Sequence, residues 1–203
     1  MKKSKGLNWK QEILKRIFDL IFSLIGIVLL IIPVLVLTLF ATVSTRKFGL
    51  FTQHRVGRNA RIFSMFKIRT MKGNDEGISI ACLNKDRMTS FGRFLRDFNL
   101  DELPQLINVL MGNMSMVGPR PDVVGYADKL VGEDKIILSI RPGITGPATL
   151  KYKNEEELLS NQKNPKEYND EIIWKQKVEI NKQYIENWSL LYDIRYIIQT
   201  ILK

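Results

Sequence analysis

Between Leu20 and Val43 the chain carries no charged side chain. The run LIFSLIGIVLLIIPVLVLTLFATV predicts a helix, and at about 1.5 Å per residue it reaches across a hydrocarbon core of about 30 Å. Pro33 interrupts it. A proline inside a helix removes a donor and crowds the carbonyl four residues back, so a break is expected there. Residues 1–16 read as a basic amphipathic lead, with Leu7, Trp9, Ile13 and Leu14 among cations. Leu50–Met71 alternates apolar and polar around a turn at Gly57–Asn59, the pattern of a short hairpin. Residues 72–90 read as a loop, 91–112 as two helical pieces, and 123–139 as a helix between two Gly/Pro passages. The last third reads as charged helix, broken near Pro165. In its final stretch Leu190, Ile194, Ile197, Ile198 and Ile201 share one face, suited to the bilayer surface or to the domain. No internal repeat or low-complexity tract is present.

The flanks decide how the apolar run is read. Lys2, Lys3, Lys5, Lys10, Lys15 and Arg16 precede it; Arg46, Lys47, Arg55, Arg58, Arg61, Lys67, Arg69 and Lys72 follow. Lys and Arg beside a membrane segment favour the cytoplasmic side, so both ends are expected on one face. A helix that enters and turns back at Pro33 meets that demand; a kinked single span is the alternative. The expected fold class is α+β, mainly helical. It comprises a re-entrant helix-break-helix within residues 1–43 and a compact cytoplasmic domain over 44–203, with a small β-hairpin and amphipathic interfacial helices.

The net charge of +10 over 203 residues points to anionic partners, namely lipid headgroups, phosphorylated substrates or nucleic acid. The cations are dispersed among apolar residues, which argues for a membrane-seated domain and against a nucleic-acid arm. One cysteine, Cys82, and one histidine, His54, exclude an internal disulfide and a Cys/His zinc site. Acid–base chemistry falls to carboxylates.

The sharpest candidate is Asp101–Glu102 in FNLDELPQLINVL. Leu103, Leu106, Ile107 and Leu110 form an apolar stripe, and Pro104 fits only the first turn, so a helix is expected to start near Asp101. There Asp101 feels the positive end of the helix and stays ionised; it is either a plain N-cap or a nucleophile beside a phosphate site. A divalent ion such as Mg²⁺ would relieve the repulsion, with Glu102 helping to hold it. In VGPRPD, Arg120 is clamped between prolines and placed to grip phosphate; in RPGITG, Arg141 precedes Pro142, and the glycines permit close approach to a ligand. These are phosphate-gripping turns or ordinary turns with surface arginines. Lys67 and Arg69 add cations on the hairpin.

The segments KRIFD, FTQHRVGRNARIFSMFKIRTM, FGRFLRDFNLDELPQLINVLMGNMSMVGPRP, RPGITG and YDIRYIIQT, in this order, resemble the bacterial sugar transferase family, the monotopic polyprenyl-phosphate phosphoglycosyl transferases. The resemblance covers nearly the whole chain. It implies a transferase of substituted phosphate groups that moves a phosphosugar from a UDP-sugar to a polyprenyl phosphate, undecaprenyl phosphate being the expected acceptor. UMP would be released through a covalent aspartyl-phosphosugar. It also implies a place at the cytoplasmic face of the bacterial inner membrane, in the first membrane step of a surface polysaccharide, lipopolysaccharide or glycoprotein glycan. By motif position Asp101 would be the nucleophile and Glu102 its partner in metal binding or acceptor activation. Lys67, Arg96, Arg120 and Arg141 would be basic positions for phosphate, and Mg²⁺ the cofactor. Membrane lipid is an expected partner, nucleic acid is not, and a homodimer is left open. Two departures stand out: Ile32 replaces the serine usual before the membrane proline, and Pro147–Ala148 follows RPGITG where an aromatic residue is common. The sugar therefore stays open.

Overall fold

A computed structural model describes residues 6–73 and 87–202 of the chain. Cys82, Lys2, Lys3, Lys5 and most of the expected 72–90 loop lie outside the described residues. Helix α1 runs Trp9–Thr45. Its start is fixed by a capping box, in which Asn8 accepts from the Gln11 amide and the Gln11 side chain accepts from the Asn8 amide. The expected break at Pro33 does not divide it: α1 is one helical element with Pro33 inside.

Strands β1 (Leu50–Val56) and β2 (Ile62–Ile68) form the expected antiparallel hairpin, with Leu50 opposite Ile68 and Val56 opposite Ile62. The two expected helical pieces are α2 (Ser90–Asp97), capped by Thr89, and α3 (Gln105–Met111). A 3₁₀ turn, Leu100–Glu102, lies between them. Strands β3 (Ser115–Val117) and β4 (Gly143–Thr145) pair in parallel, which brings the two Gly/Pro passages together. The segment expected as one helix over 123–139 is instead two 3₁₀ pieces, Ala127–Lys129 and Gly132–Leu138. Gly125 and Gly132, both at positive φ, are turn points that a continuous helix would not tolerate.

Helices α4 (Pro147–Lys151), α5 (Glu155–Ser160), α6 (Pro165–Tyr168), α7 (Trp174–Glu186) and α8 (Leu190–Ile201) complete the domain. A π turn joins α6 to α7 over Asn169–Ile173. The largest apolar core joins β3, the second 3₁₀ piece, α7 and the start of α8 around Val117, Ile137, Ile185 and Trp188. A second one, Ala41, Ile68 and Leu95, ties α1 to β2 and α2.

The start of α1 is stapled to this domain. Lys15 donates to Asp193 at 2.5 Å, and Tyr184 and Trp188 donate to the same carboxylate at 2.6 and 3.1 Å. Asp19 accepts from the Ser115 hydroxyl and the Met116 amide, both at 2.9 Å. Arg16 donates to the last carbonyls of α3, Val109 and Leu110. Lys15 is therefore a buried structural cation, not a headgroup-facing one. The terminal helix packs on the domain through Leu190 and Ile197, while Ile198 and Ile201 are exposed.

Candidate active site

Four elements converge on the Asp101–Glu102 pair. Asn99, in the left-handed conformation, turns the chain out of α2 and into the 3₁₀ turn, so both carboxylates point back toward β2. The expected helix start lies later than Asp101. Pro104 caps α3, and Gln105 is its first residue. Asp101 thus makes no helix cap, and the dipole argument for its ionisation falls away.

What faces the carboxylates is a set of cations. Lys67 Nζ lies 2.9 Å from Glu102 Oε1 and 3.5 Å from Asp101 Oδ2. Arg120 grips Glu102 with both Nη atoms, at 2.5 Å to Oε1 and 3.4 Å to Oε2. The rigidity expected of the Pro119–Arg120–Pro121 turn serves that two-pronged contact. Arg96 reaches in from α2, held by Thr70 Oγ1 at 3.2 Å and by Glu156 at 3.0 Å. Asn108 sets the distance between the turn and the hairpin: it accepts from the Phe66 amide at 2.9 Å and donates to the Ser64 carbonyl at 2.8 Å. Fully buried, it locks α3 to β2 one residue from Lys67.

The electrostatics separate the two acids. Burial opposes ionisation of both. For Glu102, the Arg120 guanidinium and the Lys67 ammonium overcome that penalty and hold the carboxyl well below the ordinary glutamate range. For Asp101, burial wins with the help of the neighbouring Glu102 charge, and its affinity for a proton is raised despite Lys67, Arg96 and Arg120. The adjacent acids thus divide into a firmly ionised, cation-clamped Glu102 and a more basic Asp101. A raised proton affinity in a carboxylate goes with greater nucleophilicity once it is ionised.

The same stretch of chain that carries this pair identifies the protein's family. Residues 10–203 match the model of the family described as bacterial sugar transferase. The chain belongs to the bacterial sugar transferase family. Among its relatives is the UDP-glucose:undecaprenyl-phosphate glucose-1-phosphate transferase of Escherichia coli strain K12, 34% identical over 204 residues, 97% of this chain and 41% of that protein. The galactosyl transferase CpsE of Streptococcus agalactiae is 35% identical over 213 residues, 97% of this chain and 43% of its own length. An uncharacterized sugar transferase, EpsL of Bacillus subtilis, is 32% identical and matched over 94% of this chain and 87% of its own length. The chain thus spans about two fifths of the first two relatives.

Within this sugar transferase domain, Lys67, Arg96, Asp101, Glu102 and Arg120 lie in one cluster. Arg141 does not join them. Its Nε donates to the Gly112 carbonyl at 2.8 Å, beyond the end of α3, and it lines a shallow cleft with Glu12, Asp19 and Arg58. The glycines beside it permit close backbone packing. A Cβ on Gly143 would lie 2.0 Å from the Gly118 amide nitrogen, and one on Gly146 would lie 2.3 Å from the Gly118 carbonyl oxygen. The two Gly/Pro passages need glycine because they pack against each other. Arg69 likewise turns away, donating to the Phe48 carbonyl and lying over the Phe51 ring.

Sequence reasoning missed the grouping of Lys177, Arg55 and Arg120 around Asp122. Burial pushes the Asp122 carboxyl up to about 7, against the opposing charges of Lys177, Arg55 and Arg120. The Asp in VGPRPD was visible as a letter, but nothing local tells that α7 brings Lys177 near it. For Mg²⁺, the donor set is two carboxylates, and among the described residues no group of three or more candidate ligands assembles. Two carboxylates suit Mg²⁺ when substrate phosphate oxygens and water complete its shell.

Proposed function

We propose that this domain transfers a phosphosugar from a UDP-sugar to a polyprenyl phosphate, undecaprenyl phosphate in particular, through a covalent intermediate on Asp101. The observation that carries the reading is the division of labour in the acid pair: a clamped, ionised Glu102 beside a more basic Asp101, with three cations around them. In the first step an Asp101 carboxylate oxygen forms a bond to the β-phosphorus. The bridging oxygen bond to that phosphorus breaks, and UMP leaves with the electron pair. In the second, a phosphate oxygen of the lipid attacks the same phosphorus and displaces the aspartyl carboxylate. The product is a polyprenyl diphosphate sugar, and Asp101 is regenerated. Lys67, Arg96 and Arg120 hold diphosphate oxygens and balance the charge that builds on them. Asp101 and Glu102 would hold Mg²⁺, which supplies further screening of phosphate charge when bound.

The placement of α1 supports a site at the cytoplasmic face of the inner membrane. The helix meets the domain at both ends of its apolar run. Gly26 lies against Leu106, and Leu37 and Ala41 pack with Ile68, Leu95 and Leu100. Between these contacts Val28, Leu29, Ile32 and Leu35 are exposed. A full crossing would carry β2, α2 and α3 into hydrocarbon with it. A helix seated in one leaflet, with its exposed Val28, Leu29, Ile32 and Leu35 turned to hydrocarbon, leaves them at the surface where a lipid phosphate meets a soluble nucleotide.

Release of UMP is the test. Purified protein with Mg²⁺ and polyprenyl phosphate, offered a panel of UDP-sugars, is expected to release UMP from at least one of them and to build the lipid diphosphate sugar. No UMP from any of them would overturn the reading.

A further inference from the structure

One row of side chains near the site is not used by the chemistry above. Phe40 of α1, Phe91 and Phe94 of α2, and Phe98 just past its end form a continuous line of rings, with successive centroids 5.9, 6.1 and 5.1 Å apart. Phe40, Phe94 and Phe98 are exposed, with 46% of Phe94 and 65% of Phe98 accessible. The row rests on the rigid buried cluster of Ala41, Ile68 and Leu95, against which Phe91 and Leu100 also pack. It starts in the apolar run. It ends at Phe98, three residues from Asp101, a chain distance of at most about 11 Å. Helix α2 is thus two-faced: its rings line one side, and Arg96 extends from the other toward the acid pair.

We propose that this ring row is the subsite for the isoprenoid tail of the acceptor, and that Phe94 and Phe98 read its first units. The inference rests on the proposed function and names the lipid-recognising surface of that site. Three observations favour an isoprenoid over ordinary acyl chains. First, membrane seating is already supplied by the exposed aliphatic length of α1, including Val28, Leu29, Ile32 and Leu35. Second, interfacial anchoring rings are Trp and Tyr, whose polar tip reaches water; these four are all Phe. Third, the row ends at Phe98, only three residues along the chain from Asp101, a placement that a mere anchor does not need. Rings held at 5–6 Å offer successive faces and edges to a branched, unsaturated chain, and they lose little rotamer freedom when it binds.

The test uses the full chain in nanodiscs of fixed lipid composition and compares wild type with Phe94→Leu/Phe98→Leu, which keeps apolar bulk and removes the rings. Acceptors are a long polyprenyl phosphate and a saturated alkyl phosphate of matched length. The wild type is expected to favour the isoprenoid. The double variant is expected to raise KM for polyprenyl phosphate about tenfold, about 1.4 kcal/mol, and to erase the preference, while KM for the UDP-sugar changes less than about twofold. An unchanged acceptor KM and preference would overturn the proposal. So would a loss of membrane association in parallel with the KM change, since the rings would then be a membrane seat. Native mass spectrometry of polyprenyl phosphate binding without any UDP-sugar reads the same difference. A wild type that binds the isoprenoid through the rings yet releases no UMP would sink the proposed reaction and leave this subsite standing.

Discussion

Lys67→Met removes the cation that bridges the two acids, and its cost follows from the geometry. At 2.9 Å from Glu102 and 3.5 Å from Asp101, the ammonium interacts with each by about 6 and about 5 kcal/mol at an effective dielectric of about 20. Most of this is offset, because the variant no longer pays to desolvate the ammonium and because Arg120 stays on Glu102. Removing one partner of a buried pair costs about 3–5 kcal/mol. With Arg120 retained, the lower end, about 3 kcal/mol, is expected. For a chain of this size that lowers Tm by about 6–12 °C. The pH dependence identifies the cause. Glu102 has a folded pKa below its unfolded value of about 4.3, so its stabilisation is present above that value and is lost as pH falls through the folded one. The Tm deficit of the variant should therefore be full from pH 7 to pH 5 and shrink below pH 4. Loss of Lys67 also removes the strongest influence opposing the raised proton affinity of Asp101, so the acid limb of activity should move to higher pH. Thermal unfolding in a neutral detergent, followed by intrinsic fluorescence across pH, is the assay. A Tm within about 2 °C of wild type at pH 7, or a deficit that ignores pH, would show that Lys67 does not stabilise the acid pair.

Further outcomes follow from the same contacts. Arg120→Ala should raise KM for the UDP-sugar at least tenfold more than Arg141→Ala does. Arg141→Ala should instead lower stability by about 1.5 kcal/mol through its bond to the Gly112 carbonyl; equal KM effects in steady-state assays would contradict this placement. Asp122, with its carboxyl pushed up to about 7, binds its proton more tightly folded than unfolded, so stability should fall as pH rises from about 4 to about 7. Asp122→Asn should flatten that slope, and an unchanged Tm-against-pH curve would show otherwise. Single cysteines placed at Lys3 and Lys72 should both label only from the cytoplasmic side of membrane vesicles; labelling from opposite sides would establish a span.

The hairpin, the two pieces around the acid pair and the final helix were legible because each is a local pattern. Alternation around Gly57–Asn59, a proline fit only for a helix start, and a 3.6-residue stripe need no distant partner. The Arg120 turn was legible too, since prolines restrict their neighbours wherever they stand. Long-range effects were not. Whether the helix begins at Asp101 or at Gln105 depends on Asn99 turning left-handed and on Lys67 drawing the carboxylates toward β2. Arg141 looked like Arg120 by spacing, but the parallel pairing of β3 with β4 carries it toward the end of α3. Lys15, counted among flank charges, is buried because α8, 178 residues later, supplies Asp193. Pro33 argued for a break from its own chemistry, yet α1 is a single helical element through it.

In the proposed reaction, Asp101 becomes covalently attached to the phosphosugar. Incubation with a UDP-sugar that supports UMP release, Mg²⁺ and no acceptor, followed by intact-mass and peptide mass spectrometry, tests it directly. One phosphosugar adduct is expected on the peptide bearing Asp101, discharged when polyprenyl phosphate is added and absent from Asp101→Asn. An adduct of equal yield in Asp101→Asn, or turnover of the wild type with no adduct under quench conditions that preserve acyl phosphates, would contradict it.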